Sequence, residues 1–200
     1  MFVKRKSGIT FLTGSLVALG IGGCATPGDP PSMGNAFALT SPSFKDGTML
    51  AVKSAGNIKT NPNCIGENVS PPMAWSNVPA GTKSFALVMV DPEGRGGLGV
   101  NHWIAYGIPA STTGFAEGAT SQLSNMYVGG KGTAGMGHYL GPCTPPGTGL
   151  HHYTFTLIAT DLEPNALPAG LTRDELLAKL NGHTKGSAGL VGLFGRAKTD

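Results

Sequence analysis

Three cysteines, two tryptophans and only 12% charged side chains stand in these 200 residues, and each scarcity narrows the field. With no C-x-x-C pair, neither a dithiol redox motif nor a cysteine-rich zinc module is available. No G-x-S-x-G elbow and no H-E-x-x-H pair occurs, so two common hydrolase signatures are missing. The basic excess is only +3, and it disappears once Lys4, Arg5 and Lys6 are set aside. No Lys/Arg cluster interleaves with aromatics, which excludes a nucleic-acid surface. No internal repeat recurs. The uncharged apolar stretch Ile9–Ile21 falls well short of the roughly 20 residues that a membrane-spanning helix needs. What the chain does have is glycine, 32 residues, and proline, 15. Against that background the G-x-G-x-x-G matches at Gly94–Gly99 and Gly130–Gly135 are expected by chance. Neither opens a helix after a strand with an acidic residue at the right distance, so a dinucleotide fold is rejected.

The N-terminus reads as a targeting segment. Lys4-Arg5-Lys6 form a basic region, and the apolar stretch behind them is of signal-peptide length. Ile21-Gly22-Gly23-Cys24 resembles the lipobox of bacterial lipoprotein signals. That resemblance implies cleavage after residue 23, a lipid on Cys24 and a place in the bacterial cell envelope. Ala25 rather than Asp after the cysteine points to the outer membrane, facing the periplasm. Residues 24–36 are rich in Pro, Gly and Ser and read as a flexible tether. Residues 37–200 are long enough for one domain with a substantial core. Cys64 and Cys143 then remain as a pair, and an oxidising periplasm permits a disulfide between them. Spacing alone does not establish its geometry, so two free thiols stay open as the alternative.

The domain is organised around Phe85–Ile108. An apolar run, Phe85–Val90, ends at Asp91-Pro92; a glycine-rich loop follows, and a second strand-like run opens at His102-Trp103. Phe37–Thr40 is a shorter strand candidate, and the turn-rich stretch Asn61–Pro72 leads into Met73–Trp75. Pro109–Gly149 carries much glycine and little periodicity and reads as loop and short irregular structure, long enough to form a functional wall. Tyr153–Asp161 alternates as a half-buried strand, with Tyr153, Phe155, Leu157 and Ala159 on one face. Thr172-Arg173-Asp174-Glu175 is a capping box opening a helix with Leu176, Leu177 and Leu180 on its apolar face, and Gly182 marks its stop. The segment Gly186–Phe194 is expected to pack as a second short helix. The class is mainly β, with helix added near the C-terminus.

Polar residues gather where the strands begin and end. Asp91 closes one run, His102 opens the next, and the Pro/Gly-rich stretch from Gly141 delivers His151 and Tyr153 onto one strand face, since residues two apart point the same way. His152 points to the other side. His102, His151 and Asp91 also satisfy the donor types of a two-His-one-carboxylate metal set, though no short histidine spacing preorganises one.

Asn68-Val69-Ser70-Pro71-Pro72…Trp75, Asp91-Pro92-Glu93, His102-Trp103 and Gly141-Pro142…Gly147…His151-His152-Tyr153 together resemble the phosphatidylethanolamine-binding protein family, in its bacterial branch described as Raf kinase inhibitor-like. The resemblance runs from about Phe37 to Arg196. It implies a fold of two antiparallel sheets, a Greek-key sandwich with a C-terminal helix. It also implies a small pocket that binds phosphate-like anions or phospholipid head groups, with no catalysis, cofactor or metal. Carried onto this chain, the ligand-binding residues are Asp91, His102, His151 and Tyr153, with Gly141 and Pro142 as a backbone wall. Imidazole N–H and phenol O–H groups suit phosphate oxygens as donors. The chain departs from the family pattern at Glu93, where a second Asp is usual, and at Val100, which lacks the aromatic of animal members. The segment between Gly141 and His151 is also longer. A hydrolase or metal-dependent enzyme on the same cluster is the rival class, and an inhibitor acting on a protein partner is a third.

Overall fold

A computed structural model of the chain describes Met1 and residues 36–198. Residues 2–23 of the signal segment, Cys24 and the tether as far as residue 35 therefore lie outside the described residues. The apolar runs form the long strands, and the described residues hold nine strands in all. These are β1 Ala38–Thr40, β2 Thr48–Met49, β3 Met73–Ser76, β4 Ser84–Asp91, β5 Val100–Pro109, β6 Gly114–Phe115, β7 Val128–Gly129, β8 His151–Thr160 and β9 Thr184–Phe194. They make a three-stranded sheet, β1-β3-β6, and a six-stranded sheet, β2-β9-β8-β4-β5-β7. Neighbours run antiparallel except β2 and β9, which are parallel.

The continuous apolar run of β4 follows from its place near the middle of the large sheet, where both faces are covered. Phe85, Leu87 and Met89 enter the main core with Trp103, Phe155 and Leu157, while Ala86 and Val88 face a second cluster with Ile104, Tyr106, Leu176 and Leu180. That second cluster is closed by the helix Arg173–Leu180, whose N-cap Thr172 and Glu175 form the expected capping box. A helix of eight residues is marginal alone. Its cap contributes on the order of 1 kcal/mol, whereas burying two leucines contributes roughly 3–6 kcal/mol. Leu176 and Leu180 are fully buried, so packing holds the helix in place.

One expected element is corrected. Gly186–Phe194 belongs to β9 and pairs with β8 along its whole length, from His151↔Phe194 to Thr160↔Thr184. Ala188, Leu190, Gly192 and Phe194 alternate inward, but Val191 and Leu193 on the other face hide the period of two. The small residues serve close packing: a Cβ on Gly192 would stand 2.6 Å from Leu50. The glycine-rich loop after β4 is a single turn, Gly94–Gly97, with Arg95 and Gly96 in left-handed conformation, so it opens no regular helix.

Two features of the large sheet aim side chains at its rim. Met89 pairs with Trp103 but Val90 pairs with Asn101, which leaves His102 as the extra residue of a bulge. Bulges of this kind re-aim a side chain beside a site. A disulfide joins Cys64 to Cys143 with a Cα–Cα separation of 4.3 Å. It ties the turn-rich segment before β3 to the Pro/Gly-rich segment before β8.

Candidate functional site

Asp91 is the last residue of β4, and the turn behind it is built around its carboxylate. Gly94 N–H donates to Asp91 Oδ1 at 2.9 Å. A Cβ on Gly94 would stand 2.7 Å from Val100 and 3.0 Å from Asp91 Oδ2, so glycine is required there. His151, first residue of β8, donates through Nδ1 to Asp91 Oδ2 at 2.8 Å. Its Nε2 lies 3.2 Å from the Thr148 hydroxyl, and that hydroxyl in turn donates to Pro145 O at 2.9 Å.

His102 is held differently. Its Nδ1 is 3.0 Å from Leu140 O, and a carbonyl only accepts, so Nδ1 carries the proton. In the neutral ring Nε2 is then a lone pair, and it lies 4.0 Å from Asp91 Oδ2, beyond hydrogen-bond reach. Burial holds the imidazole below its usual range, against opposing contributions from Leu140 and Asp91. Tyr153 stands between the two histidines, its ring 5.1 Å from His102 and 6.5 Å from His151. Its hydroxyl is 2.7 Å from Thr144 Oγ1. Burial raises the phenol above its ordinary range, with Thr144 opposing and Asp91 adding to the rise, so it stays protonated.

These four side chains border one cavity of about 570 Å³. The structure thus brings Asp91, His102, His151 and Tyr153 together, while His152 turns away as expected. Instead, His152 grips Glu93 at the rim: its backbone N–H and Nδ1 donate to the two carboxylate oxygens at 3.0 and 2.8 Å. Burial acts to raise Glu93, but these bonds outweigh it and bring the carboxyl down to about 2.

The expected backbone wall is corrected. Gly141 and Pro142 do not border the cavity; its wall there is Leu140, Cys143, Thr144 and Pro145. Gly141 sits one layer back, where its N–H donates to the buried Asn68 Oδ1 at 2.8 Å. A Cβ on it would meet Ser54 O at 1.8 Å. Pro142 O accepts from Gly56 N. Sequence reading also missed Thr144, Thr148 and Arg95, all on the cavity lining. Arg95 makes no ion pair with another described residue, and its position two residues after the Asp-Pro-Glu motif was its only signal. Asp91, Glu93 and His151 each offer a ligand atom within 4.8 Å of one another. Those atoms are already bonded, Asp91 to His151 and Glu93 to His152, so a cation would have to displace both pairs.

A β sandwich with an acid–imidazole cavity at its rim defines a small-ligand site of a recognisable class. The family model for phosphatidylethanolamine-binding protein matches residues 40–195, and the chain belongs to that family. It is 36% identical over 148 residues to a protein of Methanothermobacter thermautotrophicus, covering 73% of this chain and 95% of the other. It is 37% identical over 169 residues to LppC of Mycobacterium tuberculosis, a protein named as a lipoprotein, covering 82% and 75%. The crystal structure of Escherichia coli YbcL, described as a new member of the mammalian PEBP family, superposes with a TM-score of 0.71 at 30% identity. It covers 80% of this chain and 98% of YbcL. No helix of the described residues is long and apolar enough to cross a membrane.

Proposed function

We propose that this chain is a binding protein for small phosphate-bearing anions, as free phosphate esters or as phospholipid head groups. It would work tethered to a bacterial envelope membrane through a lipid on Cys24. The observation that carries the ligand reading is the convergence of Asp91, His102, His151 and Tyr153 on one cavity, with the Arg95 guanidinium, which has no ion-pair partner among the described residues, at its lining. Arg95 and the one hydroxyl hydrogen that the Tyr153–Thr144 pair leaves free suit phosphate oxygens as donors, and a cavity of this size suits a head group rather than a whole lipid. The lipobox-like Ile21–Cys24 and the similarity to LppC support the anchor. The Cys64–Cys143 bond agrees with an oxidising compartment such as the periplasm. Calorimetric titration of the full chain with phosphate and phosphoethanolamine, beside His151→Ala, tests the ligand reading. Saturable binding lost in a variant that still melts cooperatively supports it, and unchanged affinity in that variant refutes the residue assignment. Membrane fractionation of Cys24→Ser tests the anchor.

The rival reading, a hydrolase, has one observation in its favour. Thr148, His151 and Asp91 form a hydroxyl–imidazole–carboxylate line of the kind that activates a nucleophile. Against it, the Thr148 hydroxyl donates to Pro145 O, which points its proton away from His151. Turnover of p-nitrophenyl acetate or p-nitrophenyl phosphate that is lost in Thr148→Ala would favour the rival over binding alone.

A further inference from the structure

Two acceptors, Asp91 Oδ2 and His102 Nε2, stand close together on the floor of the cavity lining. His102 Nε2 is a lone pair because Nδ1 donates to Leu140 O. Asp91 Oδ2 accepts from His151 yet keeps lone-pair capacity toward the cavity. The two atoms are 4.0 Å apart, so an oxygen placed roughly 2.7–2.8 Å from each fits between them and must carry a hydrogen. A bare phosphate oxygen there would face two lone pairs and be repelled.

The charged and titratable groups of this lining are mixed, with the carboxylates in excess. Asp91 comes from β4, His102 from β5, and His151 and Tyr153 from β8, while Glu93 and Arg95 stand on the turn above; Cys143 beside them is disulfide-bonded. Two carboxylates and one guanidinium make a dianion harder to seat than a monoanion. Arg95 and whichever of the Tyr153 and Thr144 hydroxyls does not donate to the other remain as donors for the unprotonated oxygens.

We infer that the site takes phosphate as a singly protonated phosphomonoester, its O–H shared by Asp91 Oδ2 and His102 Nε2, and discriminates against phosphodiesters such as intact phospholipid head groups. This rests on the anion-site reading above and narrows it. Methyl phosphate and dimethyl phosphate give the direct test, because near pH 5 both carry one negative charge and only the first has an O–H. In titrations of the full chain methyl phosphate should bind at least ~10-fold more tightly, the scale of one charge-assisted hydrogen bond. Above the ester's second pKa, about 6, its affinity should fall about tenfold per pH unit. Methylphosphonate, whose second ionisation lies higher, should show the same fall at correspondingly higher pH, which assigns the proton to the ligand rather than to the protein. His102→Ala should bring the monoester down to the diester's affinity, and the ligand comparison stands whether or not that variant folds.

Equal binding of the two esters, or monoester affinity that is flat or rising with pH, overturns the proton requirement while leaving an anion site. Glycerophosphoethanolamine binding as tightly as methyl phosphate would seat an ammonium on the floor and overturns it too. Binding of none of them at any pH overturns both this inference and the anion-site reading.

Discussion

Removing the Cys64–Cys143 bond should destabilise the domain by several kcal/mol through the unfolded chain. The bond closes a loop of 79 positions, and in the chain-entropy treatment a loop of that length reduces unfolded-state entropy by about 15 cal/mol/K. At 25 °C this is about 4.5 kcal/mol. Both cysteines are only half-buried, so replacing them with alanine adds little cavity cost. A domain of this size shifts in Tm by roughly 2–4 °C per kcal/mol, and Cys64→Ala/Cys143→Ala should therefore melt about 9–18 °C lower. Urea unfolding offers an independent check, because an unlinked unfolded chain exposes more surface and the m-value should rise. If the double variant melts within about 3 °C of the parent with the same m-value, the entropic argument fails. The unfolded ensemble would then already be as confined as the bond makes it.

Other outcomes follow from single contacts. Asn68 is buried and donates to Tyr139 O at 2.9 Å while accepting from Gly141 N at 2.8 Å. Asn68→Ala strands two buried backbone groups and should lose about 2–5 kcal/mol in urea unfolding; a loss below 1 kcal/mol would mean that water or relaxation satisfies both. Gly141→Ala, with its Cβ 1.8 Å from Ser54 O, should yield little soluble protein, and normal yield with an unchanged melting curve would show that the backbone there gives way. Acid should destabilise the fold in two stages. Burial holds His102 below the ordinary imidazole value of 6.5, so the unfolded chain binds the extra proton and stability falls as pH drops through 6.5. Glu93, brought from 4.5 to about 2, adds a second decline below 4.5, reduced by its partial exposure. Urea midpoints that rise on acidification from pH 8 to 5 would contradict the neutral, buried assignment of His102.

Much of this was legible before any coordinates. The strand ends at Asp91 and His151, the alternation from Tyr153 to Ala159 and the capping box at Thr172 are local signals, each set by chain geometry within a few residues. What was not legible depends on partners far along the chain. β9 escaped because glycines replace inward side chains wherever Leu50 or Pro79 comes close, and those neighbours have no trace in its own pattern. Gly141-Pro142 was assigned to the cavity wall because rigid and permissive residues suit close approach. Only the fold reveals that their close approach is to Ser54 and Gly56, with the next three residues turned to the cavity. The bulge that redirects His102 is a mismatch of register between two strands, and neither strand contains it alone.

The paired grips at the rim have a kinetic consequence. Adjacent histidines, His151 and His152, project to opposite sides of β8, and each holds one carboxylate of Asp91 and Glu93. The start of one strand is thereby fastened to the end of its neighbour from both faces, before any ligand arrives. A site secured in this way spends little ordering entropy on capture. Empty and loaded forms should superpose closely, and association should follow a single concentration-linear phase in stopped-flow traces, with differences between ligands appearing in how fast they leave.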